Sequence, residues 1–113
     1  MNRGDVVLVD WPYSDRTGSK LRPAIVVQAD YLNGLLDDTV LVQVTSKPHG
    51  IPGTEVRLDP AIEKASGLLH VSFTFCPNIF TADPEFIDQV IGTLSLDAVQ
   101  RIDVCLKSTL GIP

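Results

Sequence analysis

Few residues in this chain could serve metal or disulfide chemistry. Its 113 residues include two cysteines and two histidines. Cys76 and Cys105 lie far apart among apolar neighbours, with no second cysteine at metal-ligand spacing. They are expected to be buried, reduced thiols rather than a disulfide or a redox pair. His49 and His70 have no HxH or HExxH context, so no metal and no cofactor are expected. Long apolar runs are also missing. No stretch approaches the ~18 residues needed to cross a bilayer, so no membrane partner is expected. Met1-Asn2-Arg3-Gly4-Asp5 leads straight into a strand without an apolar signal region, which makes cytoplasmic residence the expectation. Positive charge is scarce as well. Nine Lys and Arg face fourteen Asp and Glu, a net charge of −5, which argues against a generic nucleic-acid binder.

The distribution of charge is more informative than its sum. From Arg16 to Arg22 there are three basic residues and no acid, whereas residues 76–105 carry five acids against Arg101 alone. That positive stretch interrupts the most organised part of the chain, GDVVLVDWPYSDRTGSKLRPAIVVQ, residues 4–28. Gly4–Asp10 reads as an apolar strand closed by Trp11-Pro12-Tyr13, since proline cannot continue a central ladder. Ser14–Leu21 reads as a polar loop with Asp15, Gly18 and Ser19 as turn formers. A second strand is entered through Arg22-Pro23, with the residue before proline biased to an extended backbone.

The remaining chain predicts more short strands. Ala29–Asp38 is a connector with one helical turn around Tyr31-Leu32, broken at Asn33-Gly34. Thr39–Thr45 (TVLVQVT) is a β-branched strand, and Ser46–Gly53 is loop. Thr54–Leu58 alternates like a half-exposed strand. Pro60–Ser66 is expected to be a short helix ended by Gly67. Leu68–Phe75 is expected to be a strand, with a bend or bulge at Pro77-Asn78 before Ile79-Phe80-Thr81. Phe86–Thr93 is the last strand. Ser95 is suited to cap a helix whose apolar positions 96, 99, 102, 106 and 110 form one stripe, with Ala98 and Cys105 flanking it and Gly111 as the stop. The chain should therefore be one domain over residues 1–113. It should be mainly β with α: a small, strongly bent sheet or barrel of six or seven short strands with a C-terminal helix.

Arg22 begins one strand and Thr45 ends another. If these strands are antiparallel neighbours, the two residues share an end of the sheet. Arg16, Lys20 and Lys47 would then line the same opening, with Trp11, Tyr13 and His49 in reach. An arginine fork beside a hydroxyl suits a phosphate and the charge of its in-line transition state. Aromatics among basic residues suit the unpaired bases of single-stranded RNA. Taken singly, each residue has a plainer reading: a surface arginine paired with an aspartate, and a strand-end hydroxyl serving loop backbone.

The segment from Gly4 to Gln28, then VQVTSK, then DQVIGTLS before a terminal helix, resembles the MazF/PemK toxin family of type II toxin–antitoxin systems. The resemblance implies an SH3-like barrel of the CcdB/PemK type and a homodimer. It also implies a metal-independent endoribonuclease that cuts single-stranded RNA through 2′-hydroxyl attack and is held inactive by a cognate antitoxin with an acidic, partly disordered tail. Arg22 matches the family's catalytic arginine and Thr45 its active-site threonine. Arg16, Ser19, Lys20, Ser46 and Lys47 are the expected RNA contacts. The family's groove arginine and aspartate fall here on Phe75 and Pro77. A non-catalytic member, binding its antitoxin or inhibiting a protein target such as gyrase in the CcdB manner, is the alternative reading.

Overall fold

A computed structural model describes residues 1–10 and 21–113 of the chain. Among the described residues six antiparallel strands form one sheet: β1 (Asp5–Asp10), β2 (Leu21–Val26), β3 (Thr39–Thr45), β4 (Glu55–Leu58), β5 (Ser72–Ala82) and β6 (Ile87–Thr93). Their order across the sheet is β4-β5-β3-β2-β1-β6. A one-turn helix, α1 (Asp30–Asn33), joins β2 to β3, and α2 (Leu96–Leu110) ends the chain. The mainly β fold with a C-terminal helix is as expected. β4 and β6 form the two edges of the sheet.

Alternation along the strands divides the core in two. Val6, Ile25, Val42, Val44, Val56, Leu58 and Cys76 face α2 and pack against its buried residues Ala98, Ile102 and Cys105. Val7, Val9, Ala24, Val26, Leu41 and Ala82 form the cluster on the other face. The helix begins where Ser95 Oγ accepts from the Ala98 amide at 3.2 Å, and it ends at Gly111 in the left-handed region (φ 70°). Its buried stripe is offset from the expected one: Leu96 and Leu110 are exposed, and the small residues Ala98 and Cys105 are central.

The bulge at Pro77-Asn78 is present, inside one continuous strand. β3 pairs Val42 with Ile79 and then Gln43 with Phe75, so Cys76-Pro77-Asn78 are extra residues on β5. Asn78 Nδ2 donates to Gln43 Oε1 at 2.7 Å across the irregularity, and the Cys76 amide turns to the Thr54 carbonyl at 2.9 Å. Proline is tolerated at such a site because no ladder bond needs its missing amide hydrogen.

Two expected elements differ. Residues 60–66 form successive turns and no helix, and residues 68–71 precede the strand and are not part of it. The reason lies in where this segment finds its partners. The Ala65 carbonyl accepts from the Thr93 amide at 2.9 Å, and the Glu63 carboxylate accepts from the Ser95 amide and Ser95 Oγ at 2.7 and 2.8 Å. A chain tied to β6 and to the start of α2 in this way cannot also close an α-helical ladder. The segment follows the β4 edge and is bonded to the β6 edge, so it spans the open side of the bent sheet.

Candidate active site

Arg22 comes to its position through β2. That strand pairs with β1, Val9 opposite Arg22, and with β3, Ala24 opposite Gln43. The β2–β3 pairing ends at Ala24 and Gln43, two residues short of Arg22 near the start of β2 and of Thr45 at the end of β3, and by alternation both lie on the same face as that pair. Pro23 lies between Arg22 and Ala24 on β2, opposite Leu8 of β1. It removes a ladder amide and leaves this corner of the sheet without regular β2–β3 bonding. Arg22 is exposed and Thr45 half-buried.

Both residues line a cavity of about 470 Å³ at this end of the sheet. Its apolar lining comes from Leu8, Val44, Leu68 and Ile91, and its polar lining from Arg22, Thr45, Ser46, His70 and Ser72. The Thr45 hydroxyl lies 3.3 Å from both the amide and the carbonyl of Lys47, which turns the chain away from β3. Ser72 Oγ donates to the His70 carbonyl at 3.0 Å, fixing the approach to β5. The structure thus brings Arg22, Thr45, Ser46, Ser72 and His70 to the lining of one apolar hollow.

The sequence-predicted residues divide as follows. Arg22, Thr45 and Ser46 share the cavity, whereas Lys47 and His49 are exposed beyond its lining. Arg16, Ser19 and Lys20, with Trp11 and Tyr13, lie outside the described residues. Sequence reasoning overlooked His70. Its only signal was position: it follows the Gly67-Leu68-Leu69 approach, which was read as strand and proves to be cavity wall. His49 instead stacks on Phe75, ring centroids 3.8 Å apart and planes 12° from parallel.

The thiols are buried away from the cavity. Burial first, and then the adjacent Cys105 thiol, push Cys76 up to about 11 from 9.0, so it stays neutral and serves as core. Among the described residues no group of three or more His, Cys, Asp or Glu could hold a metal ion. None of the helices among the described residues is long and apolar enough to cross a membrane.

Comparison with known proteins gives the arrangement a family. Among solved structures, an endoribonuclease in complex with its cognate antitoxin from a mycobacterial species superposes with a TM-score of 0.82 at 23% identity, covering 100% of this chain and 97% of that one. The MazE–MazF complex of Deinococcus radiodurans gives 0.78 at 22%, covering 100% and 98%. Mycobacterium tuberculosis toxin MazF-mt6 gives 0.79 at 18%, covering 96% and 98%. At these identities the likeness is one of fold. No curated protein matches the chain by sequence. The family model for the PemK-like, MazF-like toxins of type II toxin–antitoxin systems matches residues 2–110, and the chain belongs to that family.

Proposed function

We propose that this chain is a toxin that acts as a metal-independent, sequence-specific endoribonuclease on single-stranded RNA. The ribose 2′-hydroxyl attacks the adjacent phosphorus and the bond to the 5′-oxygen breaks. The products are a 2′,3′-cyclic phosphate and a free 5′-hydroxyl. The observation that supports this reading is that Arg22, near the start of β2, and Thr45, at the end of the neighbouring β3, line one cavity.

Arg22 presents a planar fork that matches two phosphate oxygens, and its charge is worth most where negative charge accumulates in the pentacoordinate transition state. Arginine stays protonated, which suits it to charge stabilisation better than to giving up a proton. Thr45 holds a further phosphate oxygen through its hydroxyl. His70 supplies an imidazole, the side chain most often used to take and return protons, and it is the candidate proton-transfer group of the cavity. Arg16, Ser19, Lys20, Ser46 and Lys47 hold the RNA on either side.

The mycobacterial neighbour is an endoribonuclease in complex with its cognate antitoxin, which supports a cognate antitoxin as the partner here. An acidic, partly disordered tail laid over Arg22 and its neighbours would compete with RNA for the same positive charge. A homodimer fits the apolar residues left on the β6 edge, where Phe86 and Val90 are exposed.

The test is cleavage of a mixed-sequence single-stranded RNA by the purified protein in EDTA, compared with Arg22→Ala. Cleavage leaving cyclic phosphate ends, reduced on the order of a hundredfold or more in the variant, is expected. Absence of cleavage by the antitoxin-free wild type overturns the enzymatic reading in favour of the non-catalytic one.

A further inference from the structure

From Thr45 a register of paired residues runs to the edge of the sheet. Thr45 pairs with Phe73 on β5, and Phe73 pairs with Arg57 on β4. Directly opposed residues of antiparallel strands project to the same face, so Thr45, Phe73 and Arg57 form one transverse row, with Arg22 of the neighbouring β2 beside Thr45 in the cavity lining. The next row places Phe75 between Gln43 and Glu55. The intervening residues Val44, Val56, Ser72 and Thr74 are buried on the helix side, which leaves these rows on the open face.

With Arg22 on β2, an arginine stands on either side of the aromatic residue, across about three strand spacings or ~14 Å in all. Arg57 is exposed, and its contact with Asp59 is 3.4 Å long at the surface, so its guanidinium can be recruited by another anion. Phe73 is only half-buried, although an aromatic of its size would be covered in a finished core. Beside it Phe75 is already stacked with His49, whose amide is held by the Glu55 carboxylate. Phe75 lies two residues from Phe73 on the same face of β5, so the stack adjoins it.

We propose that Phe73 and the Phe75–His49 stack form a base-stacking subsite for single-stranded RNA, with Arg57 holding a phosphate beyond the one at Arg22. This rests on the reading of Arg22 and Thr45 as the phosphate-handling pair. The occupant is an unpaired nucleobase next to the scissile phosphate. The alternation of cation, ring and cation matches the alternation of phosphate and base along one strand. A duplex could not use the site, because its bases are stacked on each other and closed to a protein ring.

Binding tests this separately from cleavage. The probes are a fluorescent twelve-residue 2′-O-methyl RNA of mixed sequence, which lacks the attacking hydroxyl, and an abasic 2′-O-methyl strand of the same length. The wild type is expected to bind the first roughly tenfold or more tightly than the second, since stacking strengthens each base contact by about that factor. Phe73→Leu keeps the apolar volume while removing the ring, and is expected to abolish that preference with the fold intact by circular dichroism. Arg57→Ala is expected to lower the slope of log affinity against log salt by about 0.7, the loss of one phosphate contact to a single strand. Equal binding of both probes by the wild type, or a base preference unchanged in Phe73→Leu, overturns the subsite. If binding behaves as expected but no RNA is cut in EDTA, the nuclease reading alone fails. If RNA is cut but Phe73→Leu binds as the wild type does, the subsite alone fails.

Discussion

Gly92→Ala is the substitution from which the architecture predicts most. Gly92 lies on the β6 edge where residues 65–66 cross it. A Cβ at Gly92 would lie closer than 3.0 Å to the Ala65 carbonyl oxygen and to both carbonyl atoms of Ser66. All three are backbone atoms, so no side chain can rotate away. Restoring a normal separation of about 3.5 Å means moving the crossing segment by on the order of 1 Å. That movement breaks into the Thr93–Ala65 hydrogen bond of 2.9 Å and the Glu63–Ser95 pair beyond it. Overpacking costs about 1–3 kcal/mol even where side chains can adjust, and a rigid backbone places this site at or above the upper value. With an unfolding entropy of about 2.1 cal/mol/K per residue, each kcal/mol is worth roughly 4 °C in a chain of this length, giving a fall of roughly 12 °C or more. Gly50→Ala is the control. Its φ is +73°, but a Cβ there meets nothing within 4 Å. The left-handed strain of about 1–2 kcal/mol is partly offset by the stiffer unfolded chain, so a fall of a few degrees is expected. The assay is calorimetry at one protein concentration, since any dimer would couple melting to concentration. A Gly92→Ala melting point within about 4 °C of the wild type, or a larger effect at Gly50, would refute the packing argument.

Three further outcomes are expected. Glu63→Ala should lose about 2–3 kcal/mol, because it strands the Ser95 amide and hydroxyl and removes a carboxylate from the start of α2, while Glu63→Gln should lose about half as much; urea denaturation checks both. Alkali should destabilise through Cys76. The folded thiol keeps its proton to about pH 11 while the unfolded one releases it near 9.0, so the native state binds more protons between these values and stability falls as pH rises. From pH 8 to 10.5 that contributes roughly 2 kcal/mol, and Cys76→Ala should show a correspondingly shallower decline in urea. His70→Ala should lower kcat for RNA cleavage by about 10²–10⁴-fold with little change in binding of the 2′-O-methyl strand, and an unchanged kcat would remove the imidazole from the proposed chemistry.

Local signals in the sequence were read well where local physics decides the outcome. β-branched runs produced β1 and β3, proline and asparagine marked the bulge in β5, and Ser95 and Gly111 bounded α2. Arg22 and Thr45 could be placed at neighbouring strand ends because both lie beside clear strands. The misreadings all involve long-range partners. Pro60–Ser66 carries helix signals, yet Glu63 and Ala65 bond to residues about thirty positions away, and those bonds override local preference. The larger apolar residues suggest one stripe for the helix, but the residues it buries are Ala98, Ile102 and Cys105. The row through Phe73 depends on the three-residue register shift at the bulge, and a period-two pattern cannot supply that offset.

The central claim is that Arg22 and Thr45 act on one phosphate, and a double-mutant cycle on the rate of RNA cleavage tests it most directly. Arg22→Ala, Thr45→Ala and the double variant are compared with the wild type under single-turnover conditions in EDTA. Groups that act as a unit are strongly non-additive, so the double variant should be little slower than the slower single variant. A double variant whose loss equals the product of the two single losses, or a wild type that cuts no RNA, would contradict the claim.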